Sequence, residues 1–414
     1  MSNGSIRKRG KKWYYSIEVA KVGGKRKRIE RVAGNTKKEA EIALRKALLE
    51  FEETGLNFSP SNISVTDYFD YWFENDVKIN CRYNTQLAYK NMIEKHIKPN
   101  LGIYPLRKLT PAILQEFINS RFINGASRNF LVNLIAILGS ALKSAVYPFQ
   151  FIKENPIAYV KMPKYEQTKK EINRSVITKE VFKAITDRFD ENSKFYIMLM
   201  IGYYTGMRIG EVIALTWEDI DFKEKTINVN KILYYRQNSI WAIGPPKTPT
   251  SVRIIDVGDT LLEVLKKEKE KQKENKKYYK EFYKEYCLIK NKDNVNGKEY
   301  KTLQPIYAKE QTAFEKADFV CRAENGDLVT SNSFKYVTKV VHYELGLQFN
   351  FHSLRHTHAT MLIENGANLI DVQKRLGHSR PDTTAVIYTH PTKKMARQTV
   401  EIFEKYAEEK NPGD

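Results

Sequence analysis

The sequence predicts a multidomain protein with a small α+β unit, an all-α helical bundle, and a mixed, mainly α domain with a small β-sheet. Three observations lead to this fold class. The chain has 414 residues, enough for two or three domains with separate cores. Alternating aromatic and β-branched residues come first, helical apolar patterns follow, and helices mix with strands after that. Polar segments at 57–62 and 161–175 lack an apolar period, so we expect linkers there and folded units at 1–56, 63–160 and 176–414.

The first unit is predicted to be a short basic sheet backed by one helix. KKWYYSIEVAKV alternates as a strand does, Gly23-Gly24 interrupts it, and KRKRIERVAG supplies a second strand. Thr36 and Glu39 have the spacing of a capping box, so a helix is expected from there to Gly55.

The second unit is predicted to contain four helices joined by short connections, which is typical of a compact bundle. Thr66 is expected to cap the first helix and Thr85 to begin the second. Thr110-Pro111 is expected to open the third helix and Ser127 the fourth.

The third unit is predicted to begin near Val176 with helices. A strand TINVNKIL, a turn GPPKTPTS and a strand VRIIDV then follow. Residues 259–286 predict a long lysine-rich helix, and the section after it to about Glu310 reads as a turn-rich insertion of open function.

The composition indicates a polyanionic partner. There are 69 Lys and Arg against 49 Asp and Glu, which gives a formal net charge of +20 and a pI near 9.5. This excess favours nucleic acid, and the alternative is a basic surface that serves solubility. The apolar fraction of 42% excludes a wholly disordered basic tail.

The cysteine pattern and the N-terminus together suggest a location. Cys81, Cys287 and Cys321 are far apart and form no CxxC pair, which excludes a disulfide framework and a cysteine-rich zinc site. The first residues lack a signal peptide's apolar core, and no run of about 20 apolar residues predicts a membrane span. We therefore expect a cytoplasmic protein without a membrane partner.

One stretch near the C-terminus, residues 351–390, collects chemically active side chains. His352 and Arg355 are three residues apart and share one face of a helix. A guanidinium fork suits a phosphate, and a histidine exchanges protons near neutral pH. Tyr388 is a potential nucleophile once its proton is removed or its oxyanion is stabilised. The set predicts covalent chemistry on a phosphodiester.

Five motifs in this order resemble those of the tyrosine recombinases, the phage integrase family, and most closely the integrases of conjugative transposons and other mobile elements. The motifs and the residues matched are YYTGMRIGEVIALTWEDID with Arg208 and Glu211, PKTPTSVRIIDV with Lys247, HSLRHTHAT with His352 and Arg355, LGH with His378, and AVIYTH with Tyr388.

The resemblance implies a mechanism. Arg208 and Arg355 would bracket the scissile phosphate, with Glu211 holding Arg208 in place. Tyr388 would form a 3′-phosphotyrosyl link, and Lys247 would protonate the leaving 5′-oxygen. His352 would assist proton transfer and His378 would hydrogen-bond the phosphate, with no metal or other cofactor.

The resemblance also implies an organisation and partners. Residues 1–56 would be an arm-type DNA-binding domain, 63–160 a core-binding domain, 161–175 a basic linker, and 176–414 a catalytic domain whose C-terminal helix is exchanged between protomers. Double-stranded DNA would be bound by a homotetramer, with an accessory directionality factor as a further partner, in association with a bacterial nucleoid. The function would be integration and excision of a mobile genetic element.

Three alternatives stay open from the sequence. A type IB topoisomerase would use similar chemistry on one strand, and a DNA-binding regulator would carry a decayed catalytic set. The third is a metal site at His352, His356 and His358 with Glu364, although no HExxH motif is present. We expect instead that His356 and His358 lie on a helix at the core of the domain and form hydrogen bonds there, which argues against the metal site.

Overall fold

The computed structural model describes residues 4–22, 25–54, 63–165, 176–236, 240–246, 248–292, 297, 299–307, 310, 312–377, 400 and 404. The chain divides into two compact units, Met1–Gln167 and Thr168–Asp414. The boundary between them falls within the stretch where the sequence predicts a basic linker.

The N-terminal part contains a three-stranded antiparallel sheet in the order β1-β2-β3, followed by one helix. β1 was not predicted, because its segment GSIRKR has one apolar residue and therefore no alternating pattern. The capping box is confirmed, because the Glu39 backbone N–H donates to Thr36 Oγ1 at 3.3 Å and the Thr36 N–H donates to Glu39 Oε2 at 3.2 Å. The elements are β1 (Gly4–Arg9), β2 (Lys12–Val22), β3 (Lys25–Gly34) and α1 (Lys37–Thr54).

The helical bundle has the four predicted helices, two of which contain a π-helical segment. Ser64, not Thr66, caps the first helix, since its Oγ accepts the Asp67 N–H at 3.0 Å while Thr66 lies within the first turn. The second helix begins at Tyr83, two residues before Thr85. The bounds are α2 (Val65–Trp72), a π segment (Phe73–Val77), α3 (Lys78–Asn80), α4 (Tyr83–Met92), a π segment (Ile93–Ile97), α5 (Lys98–Leu101), α6 (Pro111–Ile123) and α7 (Arg128–Val146).

The caps of the other two bundle helices are as predicted. Thr110 Oγ1 accepts the Ile113 N–H at 3.3 Å, and Ser127 Oγ accepts the Phe130 N–H at 3.2 Å. Among the described residues, α7 alone is long and apolar enough to cross a membrane by length and composition. Seven of its 19 residues are buried in the core of the bundle.

The second unit combines seven helices of the described part of the chain with two small sheets. The helices are α8 (Lys179–Arg188), α9 (Tyr196–Thr205), α10 (Ile209–Val212), α11 (Asp259–Tyr279), α12 (Ser331–Leu345), α13 (Phe351–Glu364) and α14 (Leu369–Leu376). The strands are β4 (Ile220–Asp221), β5 (Thr226–Val229), β6 (Ile232–Tyr235), β7 (Trp241–Gly244), β8 (Arg253–Asp256), β9 (Lys284–Lys292), β10 (Glu299–Tyr307) and β11 (Glu315–Lys316).

The predicted strand TINVNKIL is two strands in different sheets. β5 lies between β4 and β8 in a three-stranded sheet, whereas β6 pairs with β7 in a five-stranded one. The prediction of one strand, one turn and one strand across this region was therefore wrong. β7 has only four residues, so its pattern was too short to recognise. Lys247 itself lies outside the described residues, and β7 and β8, which flank it in the sequence, belong to different sheets.

The prediction of a turn-rich insertion between residue 286 and about Glu310 was also wrong. The lysine-rich helix α11 ends at Tyr279, and β9 and β10 then pair antiparallel over nine residues each. The five-stranded sheet has the order β11-β9-β10-β7-β6. Burial does not alternate along either strand, and charged residues are scattered through both, so the sequence lacks the usual strand pattern. The described part of this segment is nevertheless mainly regular sheet and not a turn-rich loop.

The core of the second unit is built around α9, which is buried almost all round. It packs closely on α13 because Gly202 has no side chain at the crossing, where a Cβ would meet Phe351 Cζ at 2.7 Å. This contact brings the C-terminal end of α9 next to the middle of α13. The predicted arginines lie there.

Candidate active site

Arg208 is placed by a sharp turn at the end of α9. Gly206 closes the helix with a φ of +66°, the left-handed conformation that glycine adopts without strain. Arg208 is then the N-cap residue of α10, and Glu211 lies one turn on. The Glu211 carboxylate accepts from the Arg208 backbone N–H and from Arg208 Nη1, both at 2.9 Å. The contact between Glu211 and Arg208 is the one that the resemblance implies.

Arg355 is on α13 and is 2% exposed. Its Nη1 donates to the Gly206 carbonyl at 2.9 Å and its Nη2 to the Leu376 carbonyl at 2.6 Å. Burial lowers the pKa of this guanidinium to about 9, and the positive charge of Arg208 adds to the effect. His352 is one turn earlier on the same helix and is exposed.

The two arginines meet at one point, the C-terminal end of α14. Arg355 binds the Leu376 carbonyl, and Arg208 Nη2 donates to the next carbonyl, that of Gly377, at 3.3 Å. Gly377 ends the helix with a φ of +67°. The carbonyls at a helix C-terminus carry partial negative charge, which favours guanidinium groups there. Arg208 and Arg355, which are 147 positions apart in the sequence, thus bind the carbonyl groups of two consecutive residues.

Arg253 is a third arginine of this cluster and is not among the predicted site residues. It lies on β8 with its side chain 6% exposed, and it donates from Nη2 to Glu211 Oε2 at 3.0 Å. Its Nε donates to the Arg375 carbonyl at 2.6 Å and its Nη1 to the Ser251 carbonyl at 2.9 Å. The sequence offers one indication of Arg253, namely that it is a charged residue within the apolar segment VRIIDV. Such a residue either lies on an exposed strand edge or forms a buried ion pair.

Glu211 is a buried carboxylate that stays charged. Burial alone would raise its pKa, but the charges and hydrogen bonds of Arg253 and Arg208 outweigh burial and hold the pKa below its ordinary value. One oxygen accepts from each arginine, so the orientation of the carboxylate is fixed from two sides.

His358 is a structural residue next to the cluster. Its Nδ1 is 2.9 Å from the Tyr203 carbonyl and its Nε2 accepts from Arg375 Nε at 3.0 Å, as expected of a hydrogen-bonded histidine. Burial lowers its pKa to about 4, so the ring is neutral at physiological pH. In the described parts of the chain, no group of three or more His, Cys, Asp and Glu residues is arranged to hold a metal ion.

The structure therefore brings together Arg208, Glu211 and Arg355, with His352 on the helix that carries Arg355. The other predicted site residues, Lys247, His378 and Tyr388, lie outside the described residues. His378 is the next residue in the chain after Gly377.

Three family models match the chain. The phage integrase family matches residues 175–395, a phage integrase N-terminal SAM-like domain matches 64–122, and an arm DNA-binding domain matches 5–51. The first match spans 221 residues (395 − 175 + 1), which is more than half of the 414.

Similar proteins cover nearly the whole chain. A tyrosine recombinase XerC-like protein of Caldanaerobacter subterraneus subsp. tengcongensis is 25% identical over 385 residues, covering 89% of this chain and 90% of the relative. The ICEBs1 integrase of Bacillus subtilis is 25% identical over 381 residues, covering 91% and 93%.

Two solved structures have the same fold. The Tn1549 transposon integrase in complex with a circular intermediate DNA aligns with a TM-score of 0.60 at 19% identity, covering 82% of this chain and 99% of that one. A lambda integrase tetramer bound to a Holliday junction aligns with a TM-score of 0.53 at 16% identity, covering 93% and 94%. The chain therefore belongs to the phage integrase family, the tyrosine recombinases, and is a site-specific DNA recombinase of the kind that mobile elements carry.

Proposed function

We propose that this recombinase cuts and rejoins DNA through Tyr388, with Arg208 and Arg355 as the groups that bind the scissile phosphate. The convergence of these two arginines at the C-terminal end of α14 is the observation that carries the proposal. The Arg208 side chain is 39% exposed, so its guanidinium is accessible to a ligand from solution.

The chemistry follows from the charges at this point. The Tyr388 oxygen attacks phosphorus, the bond from phosphorus to the 5′-oxygen breaks, and a 3′-phosphotyrosyl link forms. The two guanidiniums stabilise the extra negative charge of the pentavalent transition state. Lys247 donates a proton to the departing 5′-oxygen, while His352 assists removal of the tyrosine proton and His378 hydrogen-bonds the phosphate. Attack by another strand's 5′-hydroxyl on the phosphotyrosine reverses these bond changes without ATP.

We assign the parts of the chain as follows. Residues 1–56 bind arm-type DNA sites, 63–160 bind the core site, 161–175 connect as a basic linker, and 176–414 are catalytic with a C-terminal helix exchanged between protomers. The net charge of +20 supports a DNA partner. The lambda integrase tetramer on a Holliday junction supports a homotetramer on DNA. An accessory directionality factor and association with the bacterial nucleoid complete the proposal.

A nicked, labelled duplex carrying the element ends tests the nucleophile. The nick lets the short 5′-hydroxyl strand diffuse away, so the covalent intermediate accumulates. In the presence of EDTA, wild-type protein is expected to form a covalent adduct with the labelled DNA. This adduct should survive denaturation. Tyr388→Phe should form none while binding the duplex with unchanged Kd.

The matched control is Tyr343→Phe, which removes a hydroxyl from a tyrosine that is 81% exposed on α12. This variant should form the adduct at the wild-type rate. An adduct that persists in Tyr388→Phe would show that another residue is the nucleophile. No adduct from wild-type protein, on a duplex it demonstrably binds, would refute the proposed chemistry.

A further inference from the structure

Three guanidinium groups hold three successive carbonyls at the end of α14. Arg253 binds the Arg375 carbonyl at 2.6 Å, Arg355 the Leu376 carbonyl at 2.6 Å, and Arg208 the Gly377 carbonyl at 3.3 Å. They come from β8, α13 and the start of α10, three elements with no local sequence relation. The end of α14 is thereby fixed relative to all three.

Arg253 differs from Arg208 and Arg355 in how many of its side-chain nitrogens are already hydrogen-bonded. Each of its three nitrogens already donates to a protein acceptor, and its side chain is 6% exposed. Arg208, by contrast, is 39% exposed, and Arg355, although buried, uses only Nη1 and Nη2 in the bonds described. Substrate contact therefore falls to Arg208 and Arg355, and Arg253 acts on the groups that hold Arg208.

Two bonds connect Arg253 to the phosphate-binding arginines. Its Nη2 holds one oxygen of Glu211 while the other oxygen holds Arg208 Nη1, so the carboxylate is a rigid link between two guanidiniums. Its Nε holds the carbonyl directly before those held by Arg355 and Arg208. A planar fork is needed to make both bonds at once, and a lysine ammonium is a single point charge that cannot reproduce them.

We propose that Arg253 is a positioning residue for strand cleavage. By orienting the Glu211 carboxylate and the end of α14 together, it sets the direction in which Arg208 and Arg355 present their remaining N–H groups to the phosphate. The inference rests on the proposed function of those two arginines.

The test compares Arg253→Lys and Arg253→Met with wild type on the nicked duplex. The measured quantities are the single-turnover rate of adduct formation at saturating DNA, the Kd for the duplex, and the thermal midpoint. We expect the adduct rate to fall about a hundredfold, the effect of a displacement of about 1 Å in a catalytic group, while Kd stays near the wild-type value. Should Arg253→Met not fold, Arg253→Lys, which keeps charge and most of the volume, decides the question.

Arg322 offers a matched control, being a buried arginine that also binds three carbonyls, those of Phe319, Lys284 and Ala317. It lies between β11 and α12. None of its described hydrogen bonds is to a residue of the Arg208 cluster. Arg322→Lys is expected to lower the thermal midpoint but leave the adduct rate of the folded protein at the wild-type value. An equal loss of rate in Arg253→Lys and Arg322→Lys would overturn the proposal.

A double variant tests whether Arg253 acts through Arg208. If it does, Arg208→Lys with Arg253→Lys loses little more rate than Arg208→Lys alone, because effects of residues acting as one unit do not add. Rate losses that multiply would overturn the proposal. A failure of the proposed function is distinguishable, since wild-type protein would then form no Tyr388-dependent adduct at all.

Discussion

Replacing Glu211 by Gln should destabilise the second unit by about 2 to 4 kcal/mol. The change keeps the shape and removes the charge of a carboxylate that is 2% exposed and bound to two arginines. Removing one partner of a buried ion pair costs about 3 to 5 kcal/mol because the other charge stays buried. Arg253 is the charge left behind here. The glutamine amide oxygen retains one hydrogen bond worth about 1 kcal/mol, which gives the net figure.

The effect should depend on pH in a defined direction. The Glu211 pKa is lowered in the folded state, so its stabilising contribution is present above its unfolded pKa and is lost as pH falls through the folded pKa. The difference between wild type and Glu211→Gln is therefore full at neutral pH and decreases in acid below the ordinary glutamate range. Urea denaturation across this pH range, followed by tryptophan fluorescence, measures it.

Glu268→Gln provides the matched control. Glu268 is a partly buried glutamate of the same unit, but its hydrogen-bond donor is the neutral amide of Gln272, at 2.9 Å. Burial raises its pKa, so the substitution removes little favourable charge. We expect less than about 1 kcal/mol here. Equal losses in the two variants, or a Glu211→Gln loss that grows in acid, would refute the ion-pair reasoning.

Three further predictions concern single positions. Gly206→Ala should lower stability by about 1 to 3 kcal/mol and slow adduct formation. The backbone φ there is +66°, and the new Cβ would meet Leu376 Cδ2 at 2.7 Å and His358 Cδ2 at 2.9 Å. Denaturation measures the stability and the nicked-duplex assay measures the rate. Asp76→Asn should destabilise the bundle, and the wild-type advantage should disappear as pH falls, because hydrogen bonds outweigh burial and lower the carboxyl pKa; thermal melts across acidic pH check this. Thr110→Ala should cost about 1 kcal/mol by removing an N-cap, whereas Thr110→Ser should be close to neutral in the same melts.

Features set by nearby residues were predictable from the sequence. The capping box at Thr36 and the helix starts at Thr110 and Ser127 each depend on partners within a few positions. Their residue types therefore carry the signal directly. The placement of His352 and Arg355 on one helix was also predictable, since a histidine and an arginine three residues apart share a helical face.

Features set by distant partners were not predictable. Arg253 binds a carboxylate 42 positions earlier and a carbonyl 122 positions later, and no local pattern records either contact. The division of TINVNKIL between two sheets depends likewise on which strands approach from elsewhere in the chain. The β9–β10 hairpin was not predicted because burial does not alternate along its strands, although its backbone pairing is regular.

The π segment after α2 makes that helix tolerant of a change in length. Buried residues fall at positions 65, 68, 69 and 72, and the next one, Val77, comes five positions later instead of four. A wider turn absorbs the additional residue and keeps Val77 on the same side. A chain lacking Asn75, which is exposed at the surface, would close this turn to an ordinary α-helix with the apolar side still continuous. Elsewhere in α2 the same deletion would rotate everything beyond it by about 100° away from the core.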